Sequence, residues 1–147
     1  MSAHPTHAPY DVPIAIDDGD IDVLGHVNNV VYVRWVQDAA VAHWTALATV
    51  AEQAEVLWVV VRHEIDYRHP ALRDDAITAR TWVGAATRQT FERHTEIVRA
   101  RDGRLLARAR TLWCPISPQT GRPFQVSAGL RERFSVAEAP SAPHAAE

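Results

Sequence analysis

Between Asp17 and Asn29 the chain gathers four aspartates, two glycines, a histidine and two asparagines, and a long apolar run follows directly. The centre of this stretch reads Asp20-Ile21-Asp22-Val23-Leu24-Gly25-His26-Val27-Asn28-Asn29. If the apolar run is a helix, its first turn presents unpaired N–H groups and a partial positive charge. Such groups can hold the oxyanion that develops when a carbonyl is attacked. A carboxylate a few residues earlier can serve that carbonyl as general base or as nucleophile. The arrangement suits acyl transfer without a serine triad.

Plainer readings compete. Asp18, Asp20 and Asp22 have the spacing of the first ligands of a calcium loop, but Val23 occupies the glycine position and Asn29 that of the bidentate glutamate. Asp and Asn also precede many helices purely as caps, and composition alone favours that reading. A metal site on His26 lacks a second ligand at helical or strand spacing.

The elements that must position these residues can be read from periodicity. Tyr10 to Ile16 is a short apolar run, a first strand in which Pro13 implies an edge or a bulge. A helix begins near Asn28 or Asn29, since Asn is a good N-cap, and runs to about Val50. Its polar residues Arg34, Gln37, Asp38 and Thr45 form one narrow stripe, and almost everything else on it is apolar. A helix apolar around most of its circumference is buried, so something must wrap it. Strand-period segments follow. Leu57 to Tyr67 sets Val59, Val61, Ile65 and Tyr67 on one parity, and Ala76 to Val83 does the same with Ile77, Ala79, Thr81 and Val83. Thr90 to Arg99 continues the pattern, and Asp102-Gly103 is a hairpin turn. From Arg104 to Trp113 the residues Leu105, Ala107, Ala109, Thr111 and Trp113 alternate against Arg104, Arg108 and Arg110. Ser117 to Pro123 reads as a loop and Val126 to Phe134 as a short closing helix. The sum is α+β: a long buried helix and an antiparallel meander curled around it.

The 147 residues suit one domain, expected over residues 9–136, with residues 1–8 and 137–147 as disordered tails. All 15 basic residues are arginine and the net charge is -3, which gives no nucleic-acid surface. Arg34, Gln37, Asp38 and His43 interrupt the most apolar stretch, which argues against a membrane span. Residues 1–9 hold no apolar signal core, and the lone Cys114 cannot close an intrachain disulfide; both suit the cytoplasm.

The string D-x-D-x-x-G-H-V-N-N-x-x-Y, here Asp20 to Tyr32, resembles the signature of hotdog-fold acyl-CoA thioesterases of the 4-hydroxybenzoyl-CoA thioesterase type. Glu64-Ile65-Asp66-Tyr67 with Pro70 and Asp74, the strand Leu105 to Trp113, and Thr120-Gly121-Arg122-Pro123 extend the similarity, which covers roughly Val12 to Phe134. The resemblance implies a hotdog fold, a curved antiparallel sheet wrapped around one central helix. It implies hydrolysis of a fatty or aromatic acyl-CoA, with Asp22 as the catalytic carboxylate and the backbone N–H of Asn29 as oxyanion donor. It implies a homodimer or homotetramer with sites at the subunit boundary. Coenzyme A would enter only as part of the substrate, with no metal or redox cofactor. His26 and Asn28 are candidate substrate contacts, and Thr90 a candidate for the pantetheine path.

One departure stands out. Family members often carry an acid two positions after the aromatic residue of the helix, and here Gln37 follows Trp35. Asp38 is the alternative base, since a related branch carries its acid on the helix. His63, His94 and Cys114 read as structural. The rival functions are an acyl-carrier-protein thioesterase, a hydratase, whose Asp-His loop pattern is missing here, and a non-catalytic acyl-CoA-binding protein on the same fold.

Overall fold

The computed structural model describes residues 9–87 and 89–135. The expected disordered tails lie outside the described residues. Strand β1 (Tyr10–Ile14) leads through a 3-10 turn (Asp18–Asp20) into helix α1 (Asn29–Leu47). Helix α2 (Val50–Glu55) follows, then β2 (Leu57–Tyr67), β3 (Ile77–Ala86), β4 (Phe91–Arg99), β5 (Arg104–Ile116) and helix α3 (Ala128–Phe134). The strands form one five-stranded sheet in the order β1-β3-β4-β5-β2, and each pairing is antiparallel.

The α+β hotdog expectation is met, with three differences of detail. First, only β3-β4-β5 is a simple meander; β2 crosses to the far edge and pairs with β5. Second, the long helix stops at Leu47 and not near Val50. Thr49 starts a new helix there by capping the Glu52 N–H while the Glu52 carboxylate accepts the Thr49 N–H, a reciprocal pair that defines a helix start. Third, β2 does not keep one parity. Its register shifts between Val60 and Arg62, and a bulged residue flips the alternation. Trp58 and Val60 therefore pack inward with Ile65 beyond the bulge, while Val59 and Val61 are 48% and 61% exposed.

The sheet covers one side of α1. Trp35, Val36 and Ala39 are buried against it, whereas Val30 and Val41 are exposed with Arg34, Gln37 and Asp38. The wrapping is thus one-sided within a single chain. Beneath the helix the core divides in two. One apolar cluster joins Val27, Val31, Tyr32 and Trp35 to Ile97 and Leu106, at the start of α1. The other joins Ala40 and Trp44 to Val83, Phe91, Trp113 and Phe134, at its end. Between them lie buried polar side chains: His43, Thr81, Arg93, Thr95 and Thr111.

Candidate active site

The loop before α1 is built on Asp20. This residue is only 5% exposed, and both of its carboxylate oxygens accept from Arg34 Nη2 at 3.0 Å. Its Oδ2 also accepts the Asp17 N–H at 2.9 Å, and its backbone carbonyl accepts the Asn28 N–H at 2.8 Å. The Asp17 N–H, together with the Arg34 guanidinium, holds the Asp20 carboxyl below its ordinary range against the cost of burial. Asp20 is therefore an anchor that ties the entering limb of the loop to α1. Arg73 Nε donates to Asp18 at 2.6 Å and fastens the same limb to the segment after β2.

Asp22 sits at the turn of this loop. Its N–H donates to the His26 carbonyl at 2.8 Å, and its own carbonyl accepts the Gly25 N–H at 3.0 Å. Gly25 has a φ of 80°, a left-handed conformation that a side chain would resist. One carboxylate oxygen, Oδ1, accepts the Leu24 N–H at 2.9 Å and the His26 N–H at 3.3 Å. Among the described residues nothing pairs with Oδ2. The capping reading of this aspartate thus accounts for one atom of the carboxylate: Oδ1 shapes the loop, and Oδ2 has no partner among the described residues.

The exit limb runs alongside. Val27 bridges Ile21 and donates its N–H to the Ala71 carbonyl at 2.8 Å, while His26 bridges Leu72. The His26 ring is half-buried beside that bridge. Asn28 caps α1: its Oδ1 accepts the Val30 N–H at 3.1 Å and its carbonyl the Val31 N–H at 2.9 Å. The Asn28 amide oxygen is therefore engaged in the cap. Asn29 opens the helix, and among the described residues its N–H meets no acceptor. Asp38 lies on the exposed face of α1, more than two turns further along.

Two tyrosines complete the assembly. Tyr32 accepts the Ala71 N–H at 2.9 Å from a fully buried position. Tyr67 donates its hydroxyl to the Asn29 carbonyl at 3.0 Å and so pins the first turn of α1 to the end of β2. The sequence reading assigned neither of them a place in the site, although both stand in the quoted motifs.

Thr90 lies elsewhere. It closes the β3–β4 turn through Thr87, with the two Oγ1 atoms 2.6 Å apart. Its neighbour Phe91 belongs to the apolar cluster at the end of α1. A 19-residue helix is roughly 28 Å long at 1.5 Å per residue, so one chain does not bring Thr90 to Asp22.

Beside that end of α1 is a feature the sequence did not reveal. A cavity of about 260 Å³ opens between the helices and the sheet, walled by Trp44, Trp58, Phe91, Trp113 and Phe134. Arg93 also lines it.

These features belong together in a known family. The profile described as the Thioesterase-like superfamily matches residues 16–134, and the chain belongs to that family. It is a thioester hydrolase by that membership, on a hotdog fold. No curated protein matches the chain. Among solved structures it is similar to a 1,4-dihydroxy-2-naphthoyl-CoA thioesterase from Synechocystis, with TM-score 0.72 and 18% identity over 86% of this chain and 95% of that one. It is similar also to a thioesterase from Thermus thermophilus complexed with coenzyme A and Zn, with TM-score 0.72 and 24% identity over 84% and 90%. A third likeness is to a 12:0-ACP thioesterase from Umbellularia californica, with TM-score 0.72 and 17% identity over 85% of this chain and 49% of that one. Among the described residues no helix is long and apolar enough to cross a membrane.

Proposed function

We propose that the protein is a cytoplasmic enzyme that hydrolyses a fatty or aromatic acyl-CoA to the free acid and coenzyme A. The observation that carries this reading is the divided state of Asp22: Oδ1 is fixed by two backbone N–H groups, while Oδ2 has no partner among the described residues, in the loop that leads into the N-terminus of α1. In the general-base route Oδ2 takes a proton from water as the water oxygen attacks the thioester carbon. In the nucleophilic route Oδ2 attacks that carbon itself, and water then hydrolyses the mixed anhydride. Either way the carbonyl oxygen becomes an oxyanion that the Asn29 N–H can receive, and the C–S bond breaks to release the coenzyme A thiolate, which takes up a proton. Coenzyme A enters only as part of the substrate, and the half-buried His26 ring is a substrate contact at the loop.

The site is completed in a homodimer. Strand β2 is an edge with Val59 and Val61 exposed, and long apolar edges are normally paired. β2 starts at the cavity, with Leu57, and ends at the Asp22 side, with Tyr67 bonded to Asn29. Antiparallel pairing of two β2 edges therefore sets the cavity end of each chain at the Asp22 end of the other. The partner's Thr90 comes to the same end as Asp22, where it can line the pantetheine path.

Thiol release from a panel of acyl-CoA and acyl-carrier-protein thioesters tests the function. Turnover of acyl-CoA is expected. Turnover of the carrier-protein thioesters alone would move the substrate class, and saturable binding without thiol release would make the protein a binding module.

A further inference from the structure

Arg93 projects inward from β4 on the parity of Phe91, Thr95 and Ile97, and it is only 6% exposed. Buried guanidinium groups are normally paired with a carboxylate. Here no carboxylate among the described residues lies within ion-pair distance of it. Its two partners are Thr81 Oγ1 and His43 Nδ1, each 3.0 Å from Nη1. Thr81 is neutral and passes its own proton to the His94 carbonyl at 2.9 Å. Burial, then the charge of Arg93, pushes the His43 imidazole down to about 3, so it too is neutral at pH 7. Burial lowers Arg93 itself only to about 10, so it keeps its charge. No acceptor among the described residues reaches its Nε or Nη2.

That free edge belongs to a residue lining the cavity at the end of α1. The cavity, about 260 Å³, exceeds the ~150 Å³ that admits benzene. It opens where Val41 and Leu57 are 56% and 51% exposed. An apolar, aromatic-walled pocket with one unneutralised cation selects a definite ligand chemistry. We propose that this cavity is a carboxylate site: it takes a compact aliphatic or aromatic acid whose apolar body packs on Trp44, Trp58 and Trp113 and whose carboxylate pairs with Nε and Nη2 of Arg93. A guanidinium binds a carboxylate by two parallel hydrogen bonds along such an edge, which an ammonium cannot reproduce. The carboxylate can come from a free acid or from the far end of an acyl group that carries a second carboxylate. The binding claim stands apart from the hydrolase reading; only the assignment of the source rests on it.

The three tryptophans in the wall provide the readout. Octanoate and 1-octanol are titrated against intrinsic fluorescence of the full chain, in wild type, Arg93→Lys and Arg93→Met. Wild type is expected to bind octanoate at least about 30-fold more tightly than octanol, the value of a charge-assisted pair. Arg93→Met should lose that preference while still binding octanol, and Arg93→Lys should keep part of it. Equal affinity of wild type for acid and alcohol, or an undiminished preference in Arg93→Met, overturns the proposal. If Arg93→Met does not fold, the wild-type and Arg93→Lys titrations still decide. The source is then read from the coenzyme A thioesters of octanoic and octanedioic acid. Higher kcat/KM for the dicarboxylic thioester, lost in Arg93→Met, assigns the site to the substrate's own distal carboxylate. Inhibition by octanoate without that preference assigns it to the free acid.

Discussion

The two ends of α1 solve opposite problems. At its start, Asp22 is held almost entirely by backbone: N–H groups of Leu24 and His26 fix one oxygen in a half-exposed loop. At its end, Arg93 is buried among aromatic rings and neutral polar groups. The first site keeps a carboxylate in reach of water, as the proposed base or nucleophile requires. The second removes a positive charge from water, where it can only recognise. On the proposed reading, reaction and recognition are divided between opposite ends of one helix, and the proposed antiparallel pairing of two chains would bring them together.

The largest effect is expected from separating the chains. Val59→Arg with Val61→Glu places charges on the exposed β2 edge without touching either site. Light scattering should show the dimer replaced by monomer, and turnover should fall by at least about 10²-fold, the scale of losses when reacting groups are misplaced. A fully active monomer would mean that each chain holds a complete site.

The next effect sharpens the contrast in burial. His43 is neutral in the fold, with its pKa lowered to about 3 from 6.5. Its contribution to stability is complete above the unfolded value and is lost as pH falls from 6.5 toward 3, because the unfolded chain alone takes up the proton. Between pH 6.5 and 4.5 that amounts to about 2–3 kcal/mol. Denaturant midpoints across this range should fall more steeply for wild type than for His43→Gln, which keeps an acceptor for Arg93. Parallel slopes would show that His43 titrates normally.

A smaller loss is expected from Asp20→Asn, which weakens the pair with Arg34. Stability should fall by about 2 kcal/mol, less than for a fully buried pair because Arg34 is half exposed. The lowered Asp20 pKa adds a sign: the difference between wild type and variant should shrink as pH drops below the ordinary 3.8. An unchanged midpoint would show that backbone bonds alone hold the loop.

The same comparison explains what the sequence could tell. The Asp22 loop is legible because its parts are consecutive: acid, glycine, cap and helix start lie between Asp20 and Asn29, so spacing alone assembles them. The strands from β3 to β5 were legible from alternation, and Gly103, with φ 69°, takes the expected hairpin position. The bulge in β2 was not, since the valine run from Val59 to Val61 reads the same on either parity, and only pairing with β5 reveals the slip. The cavity draws on α1, β2, β3, β4, β5 and α3 at once, and no local pattern encodes such a meeting. Its single trace was Arg93, a charged residue on the inward parity of β4 between Phe91 and Thr95. Thr90 was read as a candidate for the pantetheine path, and within one chain topology sends it to the end of α1 away from Asp22.

The claim at the centre of the account is that Asp22 does chemistry and does not merely cap. Asp22→Asn preserves the Oδ1 acceptor for Leu24 and His26 and removes the charge that Oδ2 contributes. Steady-state thiol release should show kcat lower by about 10²–10⁴ with KM little changed and the melting temperature held, since the lost interaction operates in the transition state. Asp38→Asn, on the exposed face of α1, should retain activity. A fully active Asp22→Asn enzyme beside an inactive Asp38→Asn enzyme would contradict the assignment and move the catalytic carboxylate onto the helix.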